Sequence, residues 1–360
     1  MKKKLFFLLA SAMMLTRVTN ATACTGITLQ SLDGKTVVAR TIEWGGSSLE
    51  SSYVVVPRGY TQQSYVNGEK VGMQFTARYG YVGMAVEIEE YVTEGLNEEG
   101  LSVGLFYFPR YGEYEKYEPA NRATTIGDLQ VVSWILGSFK TINELQEGIK
   151  HVHITTADPR SSTVHWRIAE PSGRQVVLEI VNGEVHFYEN PLGVLTNSPG
   201  FEWHLANLNN YINLYPGTEK PRDFGGVQMA SFGASSSMIG LPGDVTPPSR
   251  FVRAAFYRVT APQKQTATES VMQCFQILNN FDIPVGIEYP KGEIPSDIPS
   301  ATQWTVATDM GGRKIYYRTM YNSAIRCFDL NAINFEKVKY QSAPLDKVKA
   351  QPVTVIKVKM

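Results

Sequence analysis

The chain has 360 residues, 43% of them hydrophobic, with 34 basic and 34 acidic side chains, five histidines and three cysteines. That is enough apolar content for one large core, and no Ser/Gly/Pro linker or charge run divides it, so it reads as one domain behind a leader. With no excess of Lys and Arg there is no basic footprint for a phosphate backbone, which argues against a nucleic-acid partner.

In chain order, Lys2, Lys3 and Lys4 form a positive segment, Leu5 to Leu15 an apolar one, and Ala21-x-Ala23 a small-residue cleavage site. These are the three parts of a secretory signal peptide over residues 1–23. The apolar run is too short to cross a bilayer, and nothing later approaches the ~18 uninterrupted apolar residues a span needs, so no stable membrane insertion is expected. Cleavage after Ala23 would export residues 24–360 as a single domain, periplasmic or secreted. It would strip Lys2, Lys3, Lys4 and Arg17, leaving 30 basic against 34 acidic residues, a formal charge of −4. It would also make Cys24 the first residue, with a thiol and a free α-amine on one residue. An unperturbed α-amine titrates at about 7.7–8.0 and a thiol at about 8.5, a couple suited to nucleophile and general base near neutral pH. The competing reading is lipidation of Cys24 as a bacterial lipoprotein. A lipobox wants a large aliphatic residue three places before the cysteine, where Ala21 stands.

After Cys24 the pattern is strand, turn, strand: CTGITLQS, Asp33-Gly34, KTVVARTIEW. An Asp-Gly pair between β-rich runs is a strong hairpin signal. With Asp33-Gly34 as a two-residue turn, Cys24 faces Glu43 across the hairpin and Arg40 points to the other face unless a bulge brings it round. Strand-like runs follow in SYVVVPRG, YGYVGMAVEI, GLSVGLFYF, STVHWRIAE, RQVVLEIVNG and EVHFYEN, with turns at Pro171-Ser172-Gly173 and Asn182-Gly183. Helical periodicity covers Ile126 to Phe139 behind a Thr125/Asp128 capping box. Further helices open at Thr141-x-x-Glu144, near Ser249, and at Thr266-x-x-Glu269. Grouped strands and grouped helices imply an α+β fold with antiparallel sheets.

Cys274 falls on the apolar stripe Val271, Cys274, Phe275, Leu278 and reads as core, and Cys327 reads as buried in a strand. Whether the two form a disulfide stays open at this level. His151-x-His153 has no third ligand at metal spacing, so no metal site is expected. His165, His186 and His204 read as packing or surface residues. No phosphate loop or G-x-S-x-G elbow is present, and no cofactor is implied.

The segments CTGITLQSLDGKTVVARTIEW, GLNEEGLSVGLFYFP, NPLGVLTNSPGFEWHLANLNNY and LPGDVTPPSRFVRAAF resemble the choloylglycine hydrolase family, which holds conjugated bile salt hydrolases and penicillin V acylases. The resemblance implies an N-terminal-nucleophile hydrolase: an αββα four-layer sandwich of two antiparallel sheets between helical layers, assembled as a homotetramer. It implies Cys24 as nucleophile and its α-amine as base, with Arg40 beside the sulfur. Asn197 and the backbone N–H of Tyr107 match the oxyanion hole, and Arg250 a further active-site arginine. Glu43 stands where the family pattern has aspartate before tryptophan, one methylene longer. Tyr107 stands where bile salt hydrolases often carry asparagine, a lean toward the acylase branch.

These parts describe a linear amide C–N hydrolase acting on a small amphipathic N-acyl amide. Phe106, Tyr107, Phe108, Tyr111, Tyr114 and Tyr117 crowd one segment. Such a wall suits a bulky acyl group, with Phe106, Phe108 and Tyr111 as substrate-binding candidates, although the same stripe could be core. Glycine- and taurine-conjugated bile salts are the leading substrates, with penicillin V or an N-acyl homoserine lactone as alternatives. A lipid-anchored, non-catalytic binding protein is the alternative of another class.

Overall fold

A computed structural model of the chain describes residues Thr22 to Val358; the rest of the expected leader lies outside the described residues. Two antiparallel sheets carry the fold. The five-stranded sheet runs β1 (Thr22–Gln30), β2 (Thr36–Trp44), then Thr302–Asp309, Lys314–Thr319 and Asn322–Asp329. The eight-stranded sheet runs Glu184–Glu189, Gln175–Val181, Val164–Ala169, Ser102–Tyr107, Val92–Asn97, Tyr81–Val86, Ser51–Val56 and Gln341–Pro344.

Period-two alternation decides what each face meets. In the eight-stranded sheet, Val103, Trp166, Ile168 and Leu178 pack outward against α1 (Val131–Ser138) and α2 (Ile142–Gly148). Leu96, Phe106 and Val177 look inward toward the other sheet. On the far side of the five-stranded sheet lie α4 (Pro247–Thr260) and α5 (Ala267–Leu278), while α3 (Phe201–Asn207) packs on α4. Helices outside, sheets inside: this is the αββα sandwich.

Local chemistry explains most boundaries. Thr266 and Glu269 close a reciprocal capping box at α5, and Thr141 accepts from Glu144 N at 3.1 Å at α2. Asn182 and Gly183 both take positive φ, 52° and 77°, as a type I′ hairpin turn requires. The helix expected from Ile126 starts instead at Val131. Thr125–Gly127 pairs as a short parallel strand with His153–Thr155, and the Asp128 carboxylate accepts from Leu129 N and Ala157 N rather than capping α1. Cys274 is core, as expected. Cys327 is exposed, because Arg326 and Phe328 take the inward positions on its strand, and both thiols are free.

The first hairpin departs from the two-residue turn by one residue. Ser31 N donates to Lys35 O at 2.9 Å, Gly34 N to Ser31 O at 3.0 Å, and Gly34 alone takes the left-handed conformation (φ 78°). The loop is therefore Leu32-Asp33-Gly34, a turn closed by a glycine in the αL region. Cys24 then pairs with Ile42, Ala23 with Glu43 and Gly26 with Arg40. A one-residue slip flips every side chain, so Arg40 shares the face of Cys24, and Glu43 takes the opposite one. Replacing Gly34 with Ala, which meets no steric neighbour, is expected to destabilise the fold by about 1 kcal/mol, read as a lower urea midpoint. Gly34→Asn should recover part of the loss, and an unchanged midpoint in Gly34→Ala would contradict the three-residue loop.

Candidate active site

The side chain of Cys24 points between the sheets, and there a buried guanidinium meets it. Arg40 Nη2 lies 2.7 Å from Cys24 Sγ. Three further donors of Arg40 go to carbonyls: Nε to Thr41 O at 3.2 Å, Nη1 to Thr93 O at 3.3 Å and to Leu105 O at 2.5 Å, the last two on the facing sheet. The ring of Phe106 lies 4.2 Å beneath the guanidinium carbon, and a Cβ at residue 26 would come within 2.9 Å of that ring, so Gly26 makes the room. Glu94 Oε2 sits 3.9 Å from Arg40 Nη1, and Glu94 Oε1 accepts from Arg167 Nη2 at 2.5 Å. All three charges are buried; a lone buried cation would be prohibitive, and Glu94 is what offsets it.

The backbone of Cys24 is managed from its other side. Asn197 Oδ1 accepts from Cys24 N at 2.8 Å and from Arg250 Nη2 at 2.7 Å, which fixes the orientation of the amide because only the oxygen can accept. Asn197 Nδ2 gives one N–H to Tyr107 O at 2.8 Å and keeps a second. Arg250, fully buried on the first turn of α4, donates Nη1 to Cys24 O at 2.5 Å and to Thr25 Oγ1 at 2.9 Å, and Nε to Val245 O at 2.8 Å. A cation at a helix N-terminus opposes the dipole, and these contacts are what hold it there. Burial pushes the Cys24 thiol up; Arg40 pulls it down, Glu43 adds to the rise, and Arg250 and the Tyr107 N–H pull it down. The net direction is upward, so the uncleaved chain favours the thiol rather than the thiolate.

Glu43 lies on the opposite face, beside Ala23. Both of its carboxyl oxygens are buried without a hydrogen-bond partner, as is the Thr41 hydroxyl. Burial carries its pKa to about 8, against the pull of Arg250. The loop after α5 brings Glu288 Oε2 and Tyr289 OH, also buried and unpartnered, over Gly45, two residues further along. Buried carboxyl and hydroxyl groups thus gather on the face of β2 that carries Glu43.

The structure thus brings together Cys24, Arg40, Asn197, Arg250 and the backbone of Tyr107, with Glu43 on the adjoining face. It corrects two substrate-binding candidates: Phe106 and Phe108 are fully buried, Phe106 under Arg40 and Phe108 stacked on His165 at 4.4 Å. Tyr111 is 49% exposed. His165 and His204, read from sequence as packing or surface residues, are fully buried and hydrogen-bonded to Thr196 O and Asn197 O. Glu94, Arg167 and Glu179 were not singled out either. The available signal was alternation: His165, Arg167 and Glu179 interrupt apolar strands at inward positions. Among the described residues no group of three His, Cys, Asp or Glu side chains could hold a metal ion.

The model of the linear amide C–N hydrolases, choloylglycine hydrolase family, matches residues 24–343. A bile salt hydrolase/transferase from Clostridium perfringens is 31% identical over 321 residues, 87% of this chain and 94% of its own. One from Lactiplantibacillus plantarum is 32% identical over 275 residues, 74% and 82% of the two chains. A crystallised variant of the conjugated bile acid hydrolase from Clostridium perfringens superposes with a TM-score of 0.79 at 28% identity, covering 93% of this chain and 100% of that one. A penicillin V acylase from Agrobacterium tumefaciens gives 0.71 at 21% identity over 90% and 91%, a likeness of fold.

The Glu43 carboxyl gives the uncleaved chain a signature in pH. Its native pKa, about 8, exceeds the ordinary 4.5, so between those values the native state holds a proton the unfolded state has lost, and stability falls as pH rises. Between pH 6.5 and 8 stability should fall by at most about 2 kcal/mol, read as a lower urea midpoint, in protein retaining residues 1–23. Glu43→Gln should remove that drop. Equal slopes in the two proteins would contradict a buried, protonated Glu43.

Proposed function

The chain belongs to the choloylglycine hydrolase family and is a linear amide C–N hydrolase, and we propose that it is an exported cysteine amidase of conjugated bile salts, activated when cleavage after Ala23 frees the α-amine of Cys24. The observation that carries this reading is the meeting of Cys24 Sγ with Arg40 on one side of residue 24, while Asn197 and Arg250 grip its N–H and carbonyl on the other. Residue 24 is also where the family match begins.

In this mechanism cleavage converts the Cys24 amide nitrogen into an amine. As an ammonium it carries three donors, one for Asn197 Oδ1 and others for the Glu43 side, whose acceptors lack partners in the uncleaved chain. Arg40 and the Tyr107 N–H, which already pull the thiol down, favour the thiolate that results. The amine takes the thiol proton and the thiolate attacks the amide carbonyl. The tetrahedral oxyanion is held by the Tyr107 N–H and the uncommitted N–H of Asn197 Nδ2; such donors are each worth about 2.7–4 kcal/mol. The ammonium returns its proton to the leaving nitrogen as the C–N bond breaks, leaving a Cys24 thioester. Water, deprotonated by the amine, resolves the thioester to the free acid and regenerates the thiol.

The bile-salt assignment is supported by the relatives at 31% and 32% identity, both bile salt hydrolase/transferases. A steroid acyl half also buries far more apolar surface than a phenoxyacetyl group, at roughly 25 cal/mol per Å². Assembly as a homotetramer belongs to the same reading. It is supported by the exposed apolar side chains Phe224, Val227 and Met229 gathered on the small hairpin Arg222–Phe224/Val227–Met229.

Purified protein beginning at Cys24 should hydrolyse glycocholate and taurocholate with kcat/KM at least tenfold above penicillin V and a long-chain N-acyl homoserine lactone, and protein retaining residues 1–23 should be inert. A tenfold preference for penicillin V or the lactone, about 1.4 kcal/mol of transition-state binding, would replace the substrate and keep the mechanism. Activity in the uncleaved chain would remove the amine from it. So would a diacylglycerol mass on Cys24 of the exported protein, because an acylated amine is no base.

A further inference from the structure

Behind the Asn197 side chain, three consecutive carbonyls are each held by a buried donor. Leu195 O accepts from Gly26 N at 2.7 Å, Thr196 O from His165 Nε2 at 3.1 Å, and Asn197 O from His204 Nε2 at 2.8 Å. A carbonyl only accepts, so both imidazoles present Nε2–H to this segment. Two of the five histidines of the chain are spent on adjacent carbonyls of one loop.

His204 has the firmer setting. It is fully buried on α3, seven residues after Asn197, and stacks face to face on Phe251 of α4 at 4.6 Å and 10°. Its Nδ1 is buried with no partner, which wastes an acceptor; the Nε2 bond is the one polar contact of the ring. Burial holds its pKa down at about 4, with the backbone carbonyl of Asn197 the principal opposing pull, so the ring is neutral through the physiological range. The charged and titratable groups that face it, His165, Arg250 and Glu179, shift this less than burial does. His165 is arranged in parallel. It stacks on Phe108, and its Nδ1 lies 3.0 Å from Glu179 Oε1, an oxygen that also accepts from Phe201 N at 3.0 Å where α3 begins. The loop carrying Asn197 is thereby clamped at its start by β1, in its middle by two rings, and at its end by Glu179.

We propose that His204 is a positioning residue of the hydrolytic reaction: by donating Nε2–H to the Asn197 carbonyl it fixes the backbone from which the Asn197 amide reaches the reacting carbonyl, and His165 supports the preceding residue in the same way. The inference rests on Asn197 serving as an oxyanion donor. A flat aromatic pair would pack α3 on α4 as well without nitrogen, so packing alone accounts for the ring but not for the imidazole. Displacement near 1 Å at a reacting group can cost about 100-fold in rate, which is the scale on which a lost anchor would register.

A double-mutant cycle on protein beginning at Cys24 tests this, with kinetics taken well below the melting temperature of every variant. His204→Phe keeps the stack on Phe251 and deletes the donor; kcat should fall at least tenfold with KM within about twofold. His204→Gln, which retains an N–H donor, should recover a measurable part of kcat. In an Asn197→Ala background, His204→Phe should cost less than about twofold more, because the group it positions is gone. An equal loss in both backgrounds, a loss confined to KM, or full activity in His204→Phe would overturn the proposal while Asn197 keeps its role. Should His204→Phe not fold, His204→Leu, which also deletes the donor, carries the same cycle, and non-additivity with Asn197→Ala is again the expected result. Unchanged kcat in Asn197→Ala alone would instead end the oxyanion assignment and this inference with it.

Discussion

The contact between the Cys24 sulfur and the Arg40 guanidinium is the constraint around which the two sheets are organised. A fully buried arginine must find acceptors for its fork and a counter-charge, or the desolvation penalty would unfold the site. Arg40 draws its acceptors from both sheets: Thr41 O from its own strand, Thr93 O and Leu105 O from the facing one. Its counter-charge, Glu94, is shared with Arg167 two strands further across. The spacing of the sheets at this point, the glycine at position 26 and the Phe106 ring beneath the guanidinium all follow from seating that one side chain beside the sulfur.

Residue 24 then works on two faces at once. Its side chain enters the space between the sheets, where a fixed positive charge favours a thiolate. Its nitrogen and carbonyl are gripped by Asn197 and Arg250, with Arg250 reaching in from α4 on the helical side. Glu43 and Ala23 lie on that side too, as the strand register dictates. The chain with residue 23 attached is consequently a mismatched state: burial pushes the thiol up and raises the Glu43 carboxyl, whose oxygens have no hydrogen-bond partner. In the proposed mechanism a free ammonium at residue 24 would resolve both, a physical reason for activity to depend on removal of the preceding residues.

Much of this was legible in the sequence. The strands, the capping of α2 and α5, the Asn182-Gly183 turn and the set Cys24, Arg40, Asn197 and Arg250 follow from local pattern and from motif resemblance. The failures have separate physical causes. Asp33-Gly34 signals a hairpin but not its length, and the extra residue, absorbed by the αL conformation of Gly34, reverses which of Arg40 and Glu43 shares a face with Cys24. Thr125 and Asp128 spell a capping box, yet the Asp128 carboxylate has a better use on Ala157 N, a tertiary contact no local window contains. Phe106 and Phe108 read equally well as pocket or core, and only the partners Arg40 and His165 decide for core. The histidine anchors were illegible because what they bind is backbone carbonyl, which has no sequence signature.

The central claim is that the Cys24 thiol forms the covalent intermediate. Acid-quenched single-turnover reactions of protein beginning at Cys24 with glycocholate, followed by peptide mass mapping, address it most directly. The account predicts a cholyl adduct on the N-terminal peptide, located on Cys24 and released by hydroxylamine as a thioester, appearing before free cholate. Cholate formed with no adduct at any time point, or an acyl group found on a residue other than Cys24, would contradict it.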